Sequence, residues 1–237
     1  MKALKTIAVT AIVAFPTAAM AVPTLDQIYS GAPNLSDNGA QAFTLTDTSN
    51  VSDDFFAQII LEQASTESNM GIYSFNTDSS GNVSLLETLK IFDFFDEPWT
   101  PNGQRTVNFD LLQGIAYIDD GGDGVDLSSN DTQANIGDTF GFFIERQNGQ
   151  TYYSHVSLNT ADNFDHLLSF DTAGNGGSTN AYDIVLAWEQ IKSGGDKDFS
   201  DMVVGINDVM AVPEPGTLAL LGLGIAGLGA ARRRQKA

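Results

Sequence analysis

Residues 183–206 read DIVLAWEQIKSGGDKDFSDMVVGI. Two short apolar runs, Asp183–Trp188 and Met202–Ile206, flank a segment of glycine and acid. Apolar runs this short, bounded by turn residues, are of strand length rather than helix length. The same unit recurs toward the N-terminus at Ala42–Thr46, Gly71–Phe75, Thr106–Leu111, Gly114–Ile118, Thr139–Glu145, Thr151–Val156 and His166–Phe170. Two stretches stay open. Phe55, Phe56, Ile59 and Ile60 follow a helical period, yet Phe56–Glu62 reads equally as a buried strand, and Leu85–Phe95 is similarly mixed. The Asn/Asp/Ser-rich stretches 46–54 and 172–180 read as surface loops. Many short strands with turn signals between them predict an all-β fold, a single β-sandwich or jelly-roll-like domain.

Both ends of the chain read differently from this body. Lys2 and Lys5 precede an apolar run, Ile7 to Phe15, and Ala19-Met20-Ala21 follows as a small-residue cleavage pattern. This order predicts a secretory signal peptide over 1–21, cut after Ala21 by signal peptidase once the Sec machinery exports the chain. At the other end, Val212-Pro213-Glu214-Pro215-Gly216 precedes the apolar stretch 217–231, TLALLGLGIAGLGAA, and then Arg232, Arg233 and Arg234. Prolines 213 and 215 break the chain from the body. A hydrophobic helix over 217–231 rises about 23 Å, short of a hydrocarbon core of roughly 30 Å. It is therefore a marginal permanent anchor but an adequate transient one, with its basic end on the cytoplasmic side. Gly222, Gly224 and Gly227 also fit a dinucleotide fingerprint, but no βαβ unit surrounds them.

The segment 212–237 resembles the PEP-CTERM sorting signal of bacteria that export exopolysaccharide. That resemblance implies processing by an exosortase near Pro213, Glu214 and Pro215. It also implies a precursor held at the inner membrane of a Gram-negative-type bacterium through the C-terminal helix. The body would then pass to the cell surface or extracellular matrix, with exopolysaccharide as a possible partner.

What remains is one domain over 22–211, long enough for a sizeable core. The chain carries 11 basic and 30 acidic residues. Six of the basic ones and Glu214 lie in the two end segments, which leaves the body with 5 basic and 29 acidic residues and a net charge of −24. Such a body repels nucleic acid and anionic lipid and attracts divalent cations. There is no cysteine, so disulfides and thiolate chemistry are excluded. Calcium is the natural staple for an acidic exported chain of this kind.

The segment joining the two opening runs is the leading metal candidate. Asp196 and Asp198 sit two apart beside Gly194-Gly195, Asp201 follows three later, and Glu189 ends the preceding run. Two carboxylates two residues apart in an extended loop point to one side. Four carboxylates at one turn repel each other unless a cation sits between them. Hard oxygen ligands in a flexible loop suit Ca²⁺.

These residues also carry a resemblance. Trp188-Glu189, Gly194-Gly195-Asp196-Lys197-Asp198, Phe199, Ser200-Asp201 and Met202-Val203-Val204 resemble the domain family DUF4114. Gln190 stands where that family usually has Asp, and Ser200 where it usually has Asn. Upstream, Asn69–Tyr73, Asp138–Phe143, Leu158-Asn159 and Asp165-His166 follow in the family's order, so the resemblance spans about 55–207. It implies a fold and a location more than an activity.

A second, weaker metal candidate is Asp119, Asp120, Asp123 and Asp126, with one copy of the Gly-Gly-x-Gly-x-Asp pattern of calcium β-rolls. Such rolls need stacked copies. Ser128 stands where a large apolar residue belongs, and Asn130 stands where an EF-hand loop needs Glu. A flexible acidic hairpin loop is the plainer reading.

No catalytic residues are assigned. The sequence has two histidines and neither a His-Glu-x-x-His nor a Gly-x-Ser-x-Gly motif. His166 is expected to bond a loop carbonyl, and His155 to face solvent or a partner from a strand over 151–156. The expected function is thus a non-catalytic, Ca²⁺-stabilised surface or matrix protein. The alternative is a glycan-binding module or polysaccharide-acting enzyme using Trp99, Tyr152, Tyr153 and Trp188, though buried core aromatics explain such residues more commonly.

Overall fold

The computed structural model describes residues 22–46, 52–64, 66–98, 100–119, 131–175 and 177–213. Its strands are β1 (Ala42–Leu45), β2 (Ser52–Glu62), β3 (Ser68–Thr77), β4 (Val83–Phe92), β5 (Gln104–Asp110), β6 (Ile115–Ile118) and β7 (Thr132–Ala134). They continue as β8 (Thr139–Arg146), β9 (Thr151–Tyr153), β10 (Leu167–Asp171), β11 (Ile184–Trp188), β12 (Met202–Ile206) and β13 (Val209–Val212). One short helix, α1 (Leu25–Ile28), precedes them. Among the described residues two antiparallel sheets form, in the orders β13-β1-β8-β3-β4, with β9 also on β8, and β10-β11-β12-β2-β5-β6-β7. The fold is the expected all-β sandwich.

One core fills the space between the sheets. Phe43, Phe140 and Phe142 enter from the first sheet and meet Phe55, Phe109, Leu186 and Trp188 from the second. Phe55 stacks on Phe140 at 5.6 Å, and Phe43 meets Phe142 edge-on at 5.0 Å. A second cluster covers the outer face of the second sheet. There Ile60, Leu168, Phe170, Val185, Ala187 and Val203 pack under Leu25 and Ile28 of α1, with Phe199 from the 189–201 loop.

This double covering resolves the two open stretches. In β2, Phe55, Ala57 and Ile59 face the inter-sheet core, whereas Phe56 and Ile60 face the outer cluster. Burial on both faces puts apolar residues side by side and imitates a helical period. The stretch 85–95 is strand to Phe92 and then a turn. Among the described residues α1, the three-residue β7 and β13 went unread in the sequence, as did three single-turn 3-10 helices. The last strand carries the sheet to Val212, one residue past the expected end of the body.

Candidate functional site

The loop between β11 and β12 is held from beneath by the segment that precedes β10. Glu189 donates its amide to the His166 carbonyl at 3.0 Å, and its own carbonyl accepts from His166 Nδ1 at 2.6 Å. A carbonyl only accepts, so Nδ1 carries the hydrogen. Nε2 lies 3.1 Å from Asp162 Oδ2, which also accepts the Ser193 amide at 2.7 Å. Burial holds the His166 imidazole below its ordinary pKa despite both acceptors. Burial also acts to raise Asp162, but hydrogen bonds from the Ser193 and Phe164 amides outweigh it and leave the carboxyl below its usual range. His166 therefore meets the expectation of a residue bonding a loop carbonyl. Tyr152 stacks on its ring at 3.6 Å, and burial, with the nearby Asp162 charge, pushes that phenol up to about 12.

On this base the loop adopts a conformation that few sequences tolerate. Ser193, Gly194, Gly195, Lys197 and Phe199 all have positive φ. Three of them carry a Cβ, and such residues pay strain there unless the surroundings over-determine them. Gly194 lies so close to the Phe164 ring that a Cβ would sit 2.3 Å from it. A Cβ on Gly195 would approach Glu189 Oε1 to 2.8 Å. Glycine is required at both positions. Phe164 also stacks on Phe199 at 6.2 Å and lies 5.6 Å beneath the Lys197 ammonium.

The loop gathers the predicted acids. Glu189, Asp196 and Asp198 each offer a carboxylate oxygen, all within 4.8 Å of one another. Oxygens at opposite sides of a Ca²⁺ ion lie about 4.6–5.2 Å apart, given Ca–O distances of 2.3–2.6 Å. Asp201 stands at the back of the group. Its Oδ2 accepts the Gln190 amide at 2.7 Å, and its carboxyl acts electrostatically on that of Glu189. Glu189 is fully buried and accepts the amides of Ile191 at 3.2 Å and Lys197 at 3.1 Å. Burial first, and the Asp201 carboxyl second, push Glu189 up to about 7. Asp201 is raised too, mainly by burial, with repulsion from Asp198 and Asp196 adding to it. Without a cation, burial and mutual repulsion favour a proton on this pair up to about pH 7.

Gln190 and Ser200 have local roles. Gln190 turns inward, bonding Ser68 Oγ and, at 2.8 Å, the Thr66 carbonyl. Ser200 donates both its amide and its hydroxyl to Asp198 Oδ1 at 3.0 Å, which fixes that carboxylate.

Other predicted residues lie elsewhere. Asp119 follows β6, whereas Asp120, Asp123 and Asp126 lie outside the described residues; β6 and β7 pair antiparallel. Residues 1–21, with Ala21, and the segment from Glu214 and Pro215 through 217–231 also lie outside them. Among the described residues no helix is long and apolar enough to cross a membrane. His155 departs from expectation. Its strand ends at Tyr153, and the ring is buried beneath Phe75 with Nδ1 2.6 Å from the Tyr73 hydroxyl. Burial drops its pKa to about 4. Of the four aromatics, Trp188 and Tyr152 are buried, Tyr153 is half-buried, and Trp99 lies outside the described residues. Sequence reasoning missed Glu62, at the end of β2, which burial and repulsion from Glu97 and Glu67 push up to about 7. A lone Glu closing an apolar run was the only signal available.

Residues 211–234 match the PEP-CTERM protein-sorting motif. The motif implies exosortase-dependent sorting to the cell surface. No curated protein and no solved structure matches the chain.

Proposed function

We propose that this is a non-catalytic surface or matrix protein, delivered by a signal peptide over 1–21 and an exosortase, with Ca²⁺ locking its 189–201 loop. Sorting rests on the matched motif. Calcium rests on one observation: three carboxylates converge within the span of a single ion, around a buried Glu189 that has no cationic partner among the described residues. Lys197, which stands between Asp196 and Asp198, is turned over the Phe164 ring. The strained backbone fits a preorganised cage, in which fixed geometry lowers the cost of capturing the ion. The resemblance of 55–207 to DUF4114 agrees with this reading. A structural role agrees with both histidines being committed to buried hydrogen bonds, and exopolysaccharide as the neighbouring polymer rests on the sorting motif alone.

Thermal melting in Ca²⁺ and in EGTA tests the calcium reading. A site filled at 100 times its dissociation constant adds about 2.7 kcal/mol. The midpoint should therefore rise by about 5–10 °C in Ca²⁺. Asp198→Asn with Asp201→Asn should melt alike in both conditions. Equal melting of the unaltered protein in Ca²⁺ and EGTA would sink the reading.

A further inference from the structure

The sorting motif begins inside the fold. Its match starts at Ala211, and Ala211 and Val212 are the last two residues of β13. Both are paired in register with β1, Ala211 with Phe43 and Val212 with Ala42. Pro213 follows directly, so no spacer separates the sheet from the Pro-Glu-Pro segment. An enzyme that cuts a peptide takes it as an extended chain whose backbone pairs with its own cleft. The backbone groups of a strand still held in a sheet are already engaged on one side, so a cleft that must close around the whole chain cannot take it.

The structure also shows how weakly β13 is held. Among the described residues it is an edge strand, paired to β1 alone. Val209 is its one buried side chain; Met210 is 52% exposed, and Ala211 and Val212 are half-buried. Clefts of about 590 Å³ and about 470 Å³ lie against it, the first lined by Val212 and Pro213, the second by Val209, Met210 and Ala211. An edge strand anchored by Val209, with Ala211 half-buried against the same core, opens locally more often than the whole domain unfolds. The body keeps its first sheet when β13 leaves, because β1 remains paired with β8.

We infer that β13 is a releasable part of the sorting signal: it must peel from β1 before an exosortase-type enzyme can take the motif, and the fold thereby sets the rate of sorting. The inference rests on the exosortase reading of the motif. The chemistry is ordinary peptide-bond cleavage. The carbonyl carbon passes to water or to an acceptor amine, and the tail leaves with the new amino group. When opening is fast relative to cutting, the rate follows the open population.

The test uses the full-length precursor co-expressed with an exosortase, with the cleaved product followed by immunoblot and mass. Ala42→Cys with Val212→Cys places a disulfide between directly paired positions in a chain with no other cysteine. This locked variant should be processed at least tenfold more slowly than the unaltered chain. Reduction should restore its rate. Inserting Gly-Ser-Gly-Ser-Ala-Val between Val212 and Pro213 in the locked variant should also restore it, because a complete motif then lies outside the sheet. Locked precursor processed at the unaltered rate overturns the inference. So does a locked variant that neither reduction nor the insertion rescues. Failure of the unaltered precursor to be cut at all would instead strike the sorting reading itself.

Discussion

The inter-sheet core and the 189–201 loop are neighbours that obey different rules. In the core, β11 and β12 alternate their side chains between two covered faces, and almost any apolar residue of suitable size meets the need. In the loop, five residues hold left-handed backbone, two glycines admit no Cβ, and three carboxylates converge. The core is stabilised by area removed from water, which is non-directional. The loop depends on geometry and charge, which are directional and respond to pH and ions. Damage to the core should therefore act alike in every condition, whereas damage to the loop should show as a changed response to Ca²⁺ or protons.

The largest expected effect is in the core. Phe142 is fully buried and touches the rings of Phe43, Phe55 and Phe140. Phe142→Ala should cost about 3–5 kcal/mol. Its midpoint in a melting scan should fall by the same amount in Ca²⁺ and EGTA. A loss confined to one condition would break the separation between the two regions.

A smaller effect is expected from Gly194→Ala. It introduces a Cβ against Phe164 at φ +80. The cost should be about 1–3 kcal/mol. Its signature is a reduced Ca²⁺ shift in a protein that keeps its far-UV β spectrum. An undiminished shift would mean that the left-handed backbone does not frame the carboxylates.

The smallest effect is on pH. Glu189 and Glu62 are both raised to about 7 from 4.5, so the folded state holds protons that the unfolded chain releases. Their contribution is present at low pH and is lost as pH rises through 7. His155 and His166 are both depressed by burial, so their contribution is lost as pH falls below 6.5. The two trends oppose each other between 4.5 and 6.5 and leave a clear window above 6.5. In EGTA the midpoint should drop from pH 6.5 to 8, and Ca²⁺, which displaces the proton, should stabilise most at the alkaline end. Glu189→Gln should remove about half of that slope, with Glu62 carrying the rest. A midpoint that rises with pH in EGTA across this window would contradict the charge state assigned to Glu189 and Glu62.

Much of this was legible in the chain. The strand runs, the acidic turn and the sorting segment each carry their own local signal: length of apolar run, clustered carboxylates beside glycine, and proline followed by an apolar stretch. Other features had no local signal. Phe55-Phe56 and Ile59-Ile60 looked helical because the N-terminal segment with α1 covers the second face of their sheet. His155 looked exposed because nothing near it in sequence names Tyr73 as its partner. Asp162, 31 residues from Ser193, supports the loop through a contact no spacing could announce.

The sequence by itself determined that this is an acidic, cysteine-free β protein with a sorting motif at residues 211–234. Composition, period and motif are properties of neighbouring residues, so they survive without the fold. Only the tertiary structure decided that Glu189, Asp196 and Asp198 share one site with Asp201 behind them, and that the motif starts within a hydrogen-bonded strand. Both facts are distances between chain segments, set by packing and invisible to any local pattern.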